Sequence, residues 1–342
     1  MKVTRSSLVT AIEDVLPIVK DTFVRSMSVV AFDEGVVRAN NGSIGIASKL
    51  ETGVRCCVAG RKFYSILGSL RAEEVELIHE GDNLKVVADG FEADIIADSL
   101  ESYPIMVRPV EKLTSIPRDL YDGISLVRFS VSKDAMRPEL CGISIKGDMI
   151  FAADGYRATK AKIVTKLDKY VLIHPTVVDL MLKRQDVTKY NITDNWIHLG
   201  LEDERVIISC SLLGYEYPDI SGAFKDEVGL EEIPMPKGFK DVVKRSCITM
   251  EGIFLLDKMV NLISTGKVLK LKSKSTRFGS VTETLKLENP LMEFNVNVNP
   301  VFLQESVRLG AKVYYDPLNI CLKFKMENFE HVVVVESEKE NG

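Results

Sequence analysis

Hydrophobic and polar positions along this chain follow two different periods that alternate in a recurring order. From Thr4 to Val19 the apolar residues recur at three- and four-residue spacing, which predicts an amphipathic helix with Thr4 or Ser6 as its N-cap. Similar patterns begin at Pro117 and Pro236, so the three starts lie 113 and 119 residues apart. This spacing is close to one third of the 342-residue chain and indicates an internal repeat.

A second helical pattern recurs at nearly the same spacing. It begins at Gly60, Pro175 and Pro300, and these starts lie 115 and 125 residues apart. Two helices at matching places in each third predict three similar units, although a chance match of helix positions stays open as the alternative. The repeat predicts architecture and leaves function open.

Between the helices the hydrophobic period shortens to two residues, as expected of strands. The alternating segments are residues 75–79, 84–88, 143–145, 206–209, 269–271 and 320–324. Residues 81–83 (GDN) and 146–148 (KGD) are of the types found in hairpin turns. Each third is therefore predicted to be an α+β domain with two helices on antiparallel sheets. We expect three such domains, at 1–114, 115–232 and 233–342.

Composition argues against several classes of protein. Apolar residues make up 46% of the chain and charged residues 27%, and no run of 18 apolar residues predicts a transmembrane helix. The first residues lead directly into the helical pattern, so we expect no signal peptide. Six scattered cysteines without a C-x-x-C pair, together with four histidines, favour reduced thiols in a cytoplasmic protein without a zinc site or another cofactor.

Charge is unevenly distributed. The net charge of −5 taken alone argues weakly against nucleic-acid binding. The six helical segments, however, contain 15 basic and 7 acidic residues, so they carry +8 while the rest of the chain carries −13. If all six helices faced one duplex, its phosphates would meet a positive surface. The alternative explanation is that basic residues favour helix C-termini because of the helix dipole.

The middle third contains two neighbouring motifs. They read M-R-P-E-L-C-G-I-S-I from Met136 to Ile145 and F-A-A-D-G-Y-R-A from Phe151 to Ala158. They resemble the R-P-x-L-x-G strand and the following A-T-D-G-H-R-L segment of the bacterial DNA polymerase III β subunit, the sliding clamp. Segments in the other parts of the chain that also resemble this family are Met1–Thr4, Val58–Phe63, Tyr217–Asp219 and Phe294–Asn297.

The resemblance implies a DNA clamp fold, in which two protomers of three similar domains join head to tail into a ring-shaped homodimer around duplex DNA. Such a protein is a non-catalytic processivity factor that tethers the replicative polymerase. The implied partners are double-stranded DNA, a second copy of the chain, and DNA polymerase and clamp-loader subunits that bind through short clamp-binding peptides.

The resemblance also implies three sets of site residues. The hydrophobic peptide-binding cleft is expected to contain Leu140, Ala153, Gly155, Tyr156, Arg157, Ala158, Pro218, Asn297, Pro300, Ile320, Val333 and Val334. The DNA-facing set is expected to contain Arg25, Arg61, Lys62, Arg71, Arg118, Lys133, Arg137, Lys183, Arg184, Lys237, Lys240, Lys244, Arg245 and Arg308. The dimer interface is expected to contain Tyr103, Ile105 and Ile248, and ordinary core positions are an equally compatible alternative for each.

The sequence departs from the family pattern in the cleft. Ala153, Tyr156 and Ala158 stand where Thr, His and Leu are usual, and the chain ends in V-V-V-V-E-S-E-K-E-N-G instead of a V-M-P-M-R-L-like tail. We therefore expect a reshaped pocket with a different peptide preference. Judged from the residues alone, Asp154-Gly155 is equally compatible with a plain hairpin turn, and Leu140 and Tyr156 with core positions.

Two other functions compete with the clamp. An enzyme is disfavoured because the chain has no G-x-x-x-x-G-K-[ST], G-x-G-x-x-G, H-E-x-x-H or G-x-S-x-G motif, and its histidines lack suitably spaced partners. A protein-binding scaffold with the clamp fold that does not close into a ring on DNA is the second competitor. Such a scaffold would be a monomer in solution.

Overall fold

The structure is a computed structural model. It describes residues 1–337 except 34, 108, 110, 185, 226–228, 249–258, 276 and 278. The last five residues of the divergent C-terminal tail, 338–342, lie outside the described residues.

Six helices of nine to eleven residues occupy the segments that the helical period predicts. Thr4 caps the first helix as expected, because its hydroxyl accepts a hydrogen bond from the N–H of Ser7. None of the described helices is long and apolar enough to cross a membrane. The helices, including a seventh of four residues, are α1 (Arg5–Val15), α2 (Arg25–Ser28), α3 (Gly60–Ser69), α4 (Arg118–Val127), α5 (Pro175–Lys183), α6 (Phe239–Ile248) and α7 (Pro300–Arg308).

Strands fill most of the remaining chain, and their pairing is antiparallel throughout the described residues. In chain order they are β1 (Lys2–Thr4), β2 (Val29–Asp33), β3 (Val36–Asn40), β4 (Ile44–Lys49), β5 (Cys56–Ala59), β6 (Glu74–Glu80), β7 (Asn83–Ala88), β8 (Phe91–Ile96), β9 (Thr114–Ser115), β10 (Ile143–Ala153), β11 (Arg157–Ile173), β12 (Val187–Ile192), β13 (Trp196–Leu201), β14 (Val206–Ser211), β15 (Glu231–Ile233), β16 (Val260–Ser264), β17 (Val268–Ser275), β18 (Gly279–Lys286), β19 (Phe294–Val298), β20 (Lys312–Asp316), β21 (Cys321–Met326), β22 (Phe329–Val334) and β23 (Glu336–Ser337).

One of the two predicted hairpins forms and the other does not. Gly81 lies in the tight turn between β6 and β7 with a φ of 58°, as predicted. Gly147 also has a positive φ, 63°, but β10 continues through it. The register against β11 shifts on both sides of Gly147, so this glycine marks a bulge in a long hairpin. The prediction of a turn at 146–148 was wrong, because a left-handed glycine serves a bulge as well as a turn.

The chain divides into two compact units. The first contains Met1–Pro117 and Thr176–Gly214, with an eight-stranded sheet in the order β5-β2-β3-β4-β14-β13-β12-β9 and a four-stranded sheet in the order β1-β6-β7-β8. The second contains Arg118–Pro175 and Tyr215–Gly342, with a six-stranded sheet, β10-β11-β22-β21-β20-β15, and a five-stranded sheet, β18-β17-β16-β19-β23. The three predicted domain boundaries stay a prediction.

Strand order repeats three times along the chain. The runs β1-β6-β7-β8, β9-β12-β13-β14 and β15-β20-β21-β22 each place four strands side by side in the same sequence order. The last strand of the second run, β14, pairs with β4, and the last strand of the third run, β22, pairs with β11. The last strand of the first run, β8, ends its sheet. Strand β18 also ends its sheet. It occupies the same position in the run β19-β16-β17-β18 as β4 does in the run β5-β2-β3-β4.

Each unit has its own hydrophobic core between helices and sheets. In the first unit Leu8 and Ile12 of α1 are fully buried, and Phe63 of α3 meets Phe32 of β2 edge to face at 5.8 Å. In the second unit the buried faces of α6 and α7 pack on β16, β17, β19 and β21. The opposite faces of these helices are left for polar side chains.

Candidate functional site

A small apolar cluster lies on one face of the six-stranded sheet, where the β10–β11 hairpin ends beside β21 and β22. The alternation of each strand turns one residue in two toward this face. A helical turn at Pro138–Leu140 and another at Ser221–Phe224 close its sides. The buried members of the cluster are Leu140, Ala153, Ala158, Phe224, Cys321 and Val332, with Phe151, Tyr217 and Ile220 half-buried against them.

The turn between β10 and β11 forms the polar rim of the cluster. Asp154 accepts hydrogen bonds through Oδ1 from the backbone N–H groups of Tyr156 and Arg157, at 3.0 and 3.1 Å. Gly155 has a φ of 91°, and a Cβ built on it would lie 2.5 Å from Nη1 of Arg137. The alternative that Asp154-Gly155 is a hairpin turn is therefore confirmed. The positive φ favours glycine here, and a Cβ would in addition displace the guanidinium of Arg137.

Arg157 points into the protein, where it contacts both the rim and α7. Its side chain is only 8% exposed and donates from Nε to Asp154 at 2.8 Å and from Nη2 to the carbonyl of Phe129 at 2.7 Å. Nη1 forms an ion pair with Glu305 of α7, and the guanidinium lies 4.1 Å from the ring centroid of Phe302. All of its nitrogen atoms have partners, so Arg157 connects the turn at Asp154 to α7.

The two expected cleft residues near the C-terminus, Val333 and Val334, lie on opposite faces of β22. Val333 is fully buried in the core under α7, whereas Val332 lies in the cleft cluster and Val334 is exposed on the same face. Two-residue periodicity requires this result, since Val332 and Val334 must share a face that Val333 does not. Strand alternation in the sequence predicts this arrangement, whereas the resemblance to the family implied Val333.

The remaining expected cleft residues divide into two groups. Pro218 and Ile320 are exposed next to Tyr217 and Cys321, and the carbonyl of Ile320 accepts a hydrogen bond from the N–H of Val335. Asn297 lies on β19, where its Oδ1 accepts from Asn261, and Pro300 is buried at the start of α7. Neither Asn297 nor Pro300 belongs to the cleft cluster.

Two polar anchors hold the segment that contains Phe224. The hydroxyl of Tyr170 donates to the carbonyl of Tyr215 at 3.0 Å and accepts from the N–H of Tyr217 at 3.1 Å. The buried ammonium of Lys323 donates to the carbonyl of Lys225 and pairs with Asp316 at 3.1 Å. These bonds fix a loop far away in the sequence against the sheet. Because these contacts join residues far apart in sequence, local motifs do not predict that Phe224 and Ile220 belong to the cluster.

The cleft includes one thiol. Burial raises the pKa of Cys321 to about 11, and Asp316 nearby adds to the effect. The thiol is therefore protonated at neutral pH and acts as a small apolar wall residue. Within the described residues no group of three or more His, Cys, Asp and Glu side chains could hold a metal ion.

Most of the expected DNA-facing cations are exposed on the outer faces of helices. On α6, Phe239 and Val243 are buried, whereas Lys240 and Lys244 lie on the opposite, solvent-exposed face. The other expected residues that are exposed and have no ion pair with a described carboxylate are Arg61, Lys62, Arg71, Lys133, Lys183, Lys237 and Arg308. Arg118, although paired with Asp122 at 3.0 Å, keeps 84% of its side chain exposed.

Besides Arg118, four of the expected cations form ion pairs with described carboxylates. Arg184 is 20% exposed and binds Asp14 of α1 at 3.0 Å and Asp186 at 3.1 Å. Its hydrogen bonds hold the pKa of Asp186 below the usual value. The other three pairs are Arg25 with Asp98, Arg137 with Asp134, and Arg245 with Glu283. Arg25, Arg184 and Arg245 thus pair with carboxylates far away in the sequence, whereas Arg137 pairs with a close neighbour.

The three expected interface residues have different surroundings. Tyr103 is buried against Val29 and Cys57, with Arg38 stacked over its ring at 4.9 Å. Ile105 and Ile248 are among the most exposed large apolar side chains of the described residues, at 88% and 73%. Exposed isoleucines of this kind are compatible with an interface, whereas Tyr103 is a core residue of its unit.

No protein-family model and no curated protein matches the sequence. Solved structures match over nearly the whole chain. The DNA polymerase sliding clamp of Bacillus subtilis matches with a TM-score of 0.83 and 19% identity over 99% of both chains. The DNA polymerase III β chain of Streptococcus pneumoniae matches with 0.84 and 14% over 98% of this chain and 99% of its own. The β subunit of Pseudomonas aeruginosa matches with 0.82 and 15% over 99% and 100%. The predicted clamp fold is therefore confirmed.

Proposed function

We propose that this protein is a DNA sliding clamp, of which two copies form a ring that encircles duplex DNA and tethers a DNA polymerase. It acts in the cytoplasm as a non-catalytic processivity factor. The observation that supports the proposal is a repeated strand pairing, in which the last strand of a four-strand run pairs with an edge strand of another run. Among the described strands, this repetition leaves one matching pair of edges, β8 and β18, without a neighbour on one side.

We call the pairing of two such edge strands a joint. The described chain contains two joints of the same kind, β14 with β4 and β22 with β11. By the same repeat, β8 corresponds to β14 and β22, and β18 corresponds to β4. Pairing β8 of one copy with β18 of another would supply the third joint, and two such joints close a ring of two copies. Long open edges invite pairing, and these edges have six and eight residues.

The side chains at the two edges support such a joint. On the core side of β8, Phe91, Ala93 and Ile95 are only half-buried. On the core side of β18, Leu285 is half-buried and Val281 is exposed. A shared sheet would cover these apolar groups, as it does along β4 and β14, where Ile46 and Ile208 are fully buried.

DNA binding is assigned to the exposed cations of the helices. Their contacts to phosphates are independent of base sequence, so they hold register loosely and permit sliding. The apolar cluster with its Asp154–Tyr156 rim is assigned to clamp-binding peptides of polymerase and loader subunits. The half-buried Phe151, Tyr217 and Ile220 supply the adaptable apolar surface that such a peptide would cover.

The competing proposal is a clamp-fold scaffold that never closes on DNA. Analytical ultracentrifugation distinguishes the two, since the clamp sediments as a dimer and the scaffold as a monomer. A linkage assay tests the ring itself. The protein is concentrated together with nicked circular plasmid so that dimers assemble around it, and gel filtration at 0.5 M salt then separates linked from free protein.

A ring stays with the circular plasmid and is released when a restriction enzyme linearises it. The matched control is the same plasmid linearised before the protein is added. Equal retention on circular and linear DNA would refute the ring, because only topological linkage depends on DNA ends. A chain that stays monomeric at all concentrations would refute it independently and favour the scaffold.

A further inference from the structure

The two sheets that end at β8 and β18 carry opposite charges on their open faces. Along β17, Leu269 and Leu271 are buried, and the alternate side chains point to the open face of the five-stranded sheet. The lysine face is formed by Lys270, Lys272 and Lys274 of β17 and Lys286 of β18. Within the part of the chain that the structure describes, none of these four lysines forms an ion pair.

Carboxylates are nearly absent from the lysine face. The acid of β18, Glu283, lies on the other side of the sheet and pairs there with Arg245 of α6. The neighbours of the lysines on the open face are hydroxyls and amides, among them Thr282, Thr284 and Asn261. Among the described strand residues of this sheet, only Glu336 on β23, at the far edge, adds a negative charge to the open face.

The four-stranded sheet has the opposite charge pattern. Val75 and Leu77 of β6 are buried, so its acidic residues point to the open face. The acidic face is formed by Glu74, Glu76 and Glu80 of β6 and Glu92 and Asp94 of β8. Two lysines share this face: Lys85, which pairs with Glu92 at 2.5 Å, and Lys2. The acidic face thus keeps an excess of negative charge, and part of it lies on the edge strand itself.

We infer that these opposite faces select the head-to-tail joint, with β8 of one copy against β18 of the other, and reject pairing of like edges. The inference rests on the proposed ring and deepens it, because it states what fixes the polarity of ring closure. The partner that the lysine face fits is a second copy of this chain, through its acidic face.

The geometry of a shared sheet brings the two faces close together. In a sheet shared by two copies, the core-facing side chains of β8 and of β18 must lie on the same side of the sheet. A register shift of one residue would turn polar side chains toward the core. The acids of β8 then lie next to the hydroxyls of Thr282 and Thr284, which can donate to them. The lysines of β17 lie one strand further, about 10 Å away at the usual strand spacing. This is about one Debye length at 0.1 M salt, so the attraction is only partly screened.

Pairing of two identical edges would bring charges of the same sign together. Two β8 strands side by side would place Glu92 and Asp94 of both copies on adjacent strands, and like charges across a strand pair destabilise it. Two β18 strands would bring two lysine faces into one sheet with no carboxylates between them. Of the three pairings, only the head-to-tail joint brings the acids of β8 within about 10 Å of the lysines of β17.

The test uses two triple variants. In K270E/K272E/K274E both faces become acidic, and in E76K/E92K/D94K both become basic. A control with the same charge change, K112E/K146E/K166E, replaces exposed lysines outside the two sheets. Sedimentation gives the dimer dissociation constant of each, and native mass spectrometry gives the composition of mixtures. Circular dichroism verifies that each variant is folded.

Each face variant should dissociate at least about tenfold more readily than the wild type and the control, and the difference should shrink at 1 M salt. An equimolar mixture of the two face variants should recover tight dimers that are almost entirely mixed, because both joints of a mixed ring pair opposite charges. Mixed dimers no more abundant than chance, or face variants that dissociate like the control, would overturn the inference and leave the ring intact. A monomeric wild type would overturn the ring itself.

Discussion

Replacing Arg157 tests the claim that this residue supports the cleft from inside. Arg157→Ala removes a side chain that is 8% exposed and leaves the carboxylates of Asp154 and Glu305 without their partner. Removing one partner of a buried ion pair costs about 3–5 kcal/mol. Glu305 keeps 30% of its side chain exposed, and hydration offsets part of this cost. The lost contact with the Phe302 ring adds about 1 kcal/mol.

We therefore expect Arg157→Ala to lower the free energy of unfolding of the second unit by about 3 kcal/mol. For a unit of 186 residues this is a fall in melting temperature of about 6–12 °C. Calorimetry and urea titration measure it. Arg157→Lys keeps one charge but loses the forked geometry, so it should fall between Ala and wild type.

Arg118→Ala is the matched control, because Arg118 also pairs with a nearby aspartate but is 84% exposed. An exposed pair of this kind contributes about 0.3–0.5 kcal/mol. If Arg157→Ala were no more destabilising than Arg118→Ala, the assignment of Arg157 as an internal connector would be refuted. Binding of a labelled clamp-binding peptide should also weaken in Arg157→Ala, since the rim turn loses its anchor.

Three further predictions concern DNA, the cleft and pH. The double charge reversal Lys240→Glu with Lys244→Glu should weaken equilibrium binding to short linear duplex and lower the salt-dependence slope by about 1.8, the share of two phosphate contacts. Gly155→Trp should abolish binding of a clamp-binding peptide without dissociating the dimer, because the new side chain occupies the rim where Arg137 already packs. Burial lowers the pKa of His331 to about 3. Stability should therefore fall by about 1.4 kcal/mol per pH unit as pH drops below about 6.5, where only the unfolded chain binds the proton.

Each of these has its own control. The pair K146E/K166E should leave the salt slope unchanged, and an unchanged slope in the α6 variant would exclude α6 from the DNA surface. Gly147→Trp introduces the same side chain at another left-handed glycine with open space around it, so it should bind peptide normally. His331→Phe should flatten the pH dependence between pH 6.5 and 4, and an unaltered profile would contradict the assigned pKa.

Local periodicity in the sequence predicted much of the fold. The 3.6-residue pattern located the six long helices, because an amphipathic helix shows its buried face within a few turns of sequence. It extended the first helix to Val19, although α1 ends at Val15. It also began another helix at Pro236, although α6 begins only after the left-handed Gly238. Glycine chemistry identified the turn at Gly81, but it could not distinguish the turn from the bulge at Gly147. That difference depends on whether the partner strand continues.

The cleft was predicted only in part, and the reason is sequence distance. Leu140, Ala153 and Ala158 lie within two neighbouring motifs and were predicted together. Phe224 and Cys321 come from segments about 70 and 160 residues further along the chain, and backbone pairing and the Lys323–Lys225 contact bring them to the same place. No local pattern contains that information.

The sequence by itself determined the repeat, the helices, the alternation of strand faces and the excess of positive charge on the helices. All of these depend on residues that are neighbours in the chain. Only the tertiary structure decided that Arg184 and Arg157 are paired with carboxylates far away in the sequence, Asp14 and Glu305. It also decided that β14 and β22 find partners while β8 and β18 stay open. Strand pairing and ion pairing join residues that are far apart in sequence, and their register follows from the packing of the whole unit.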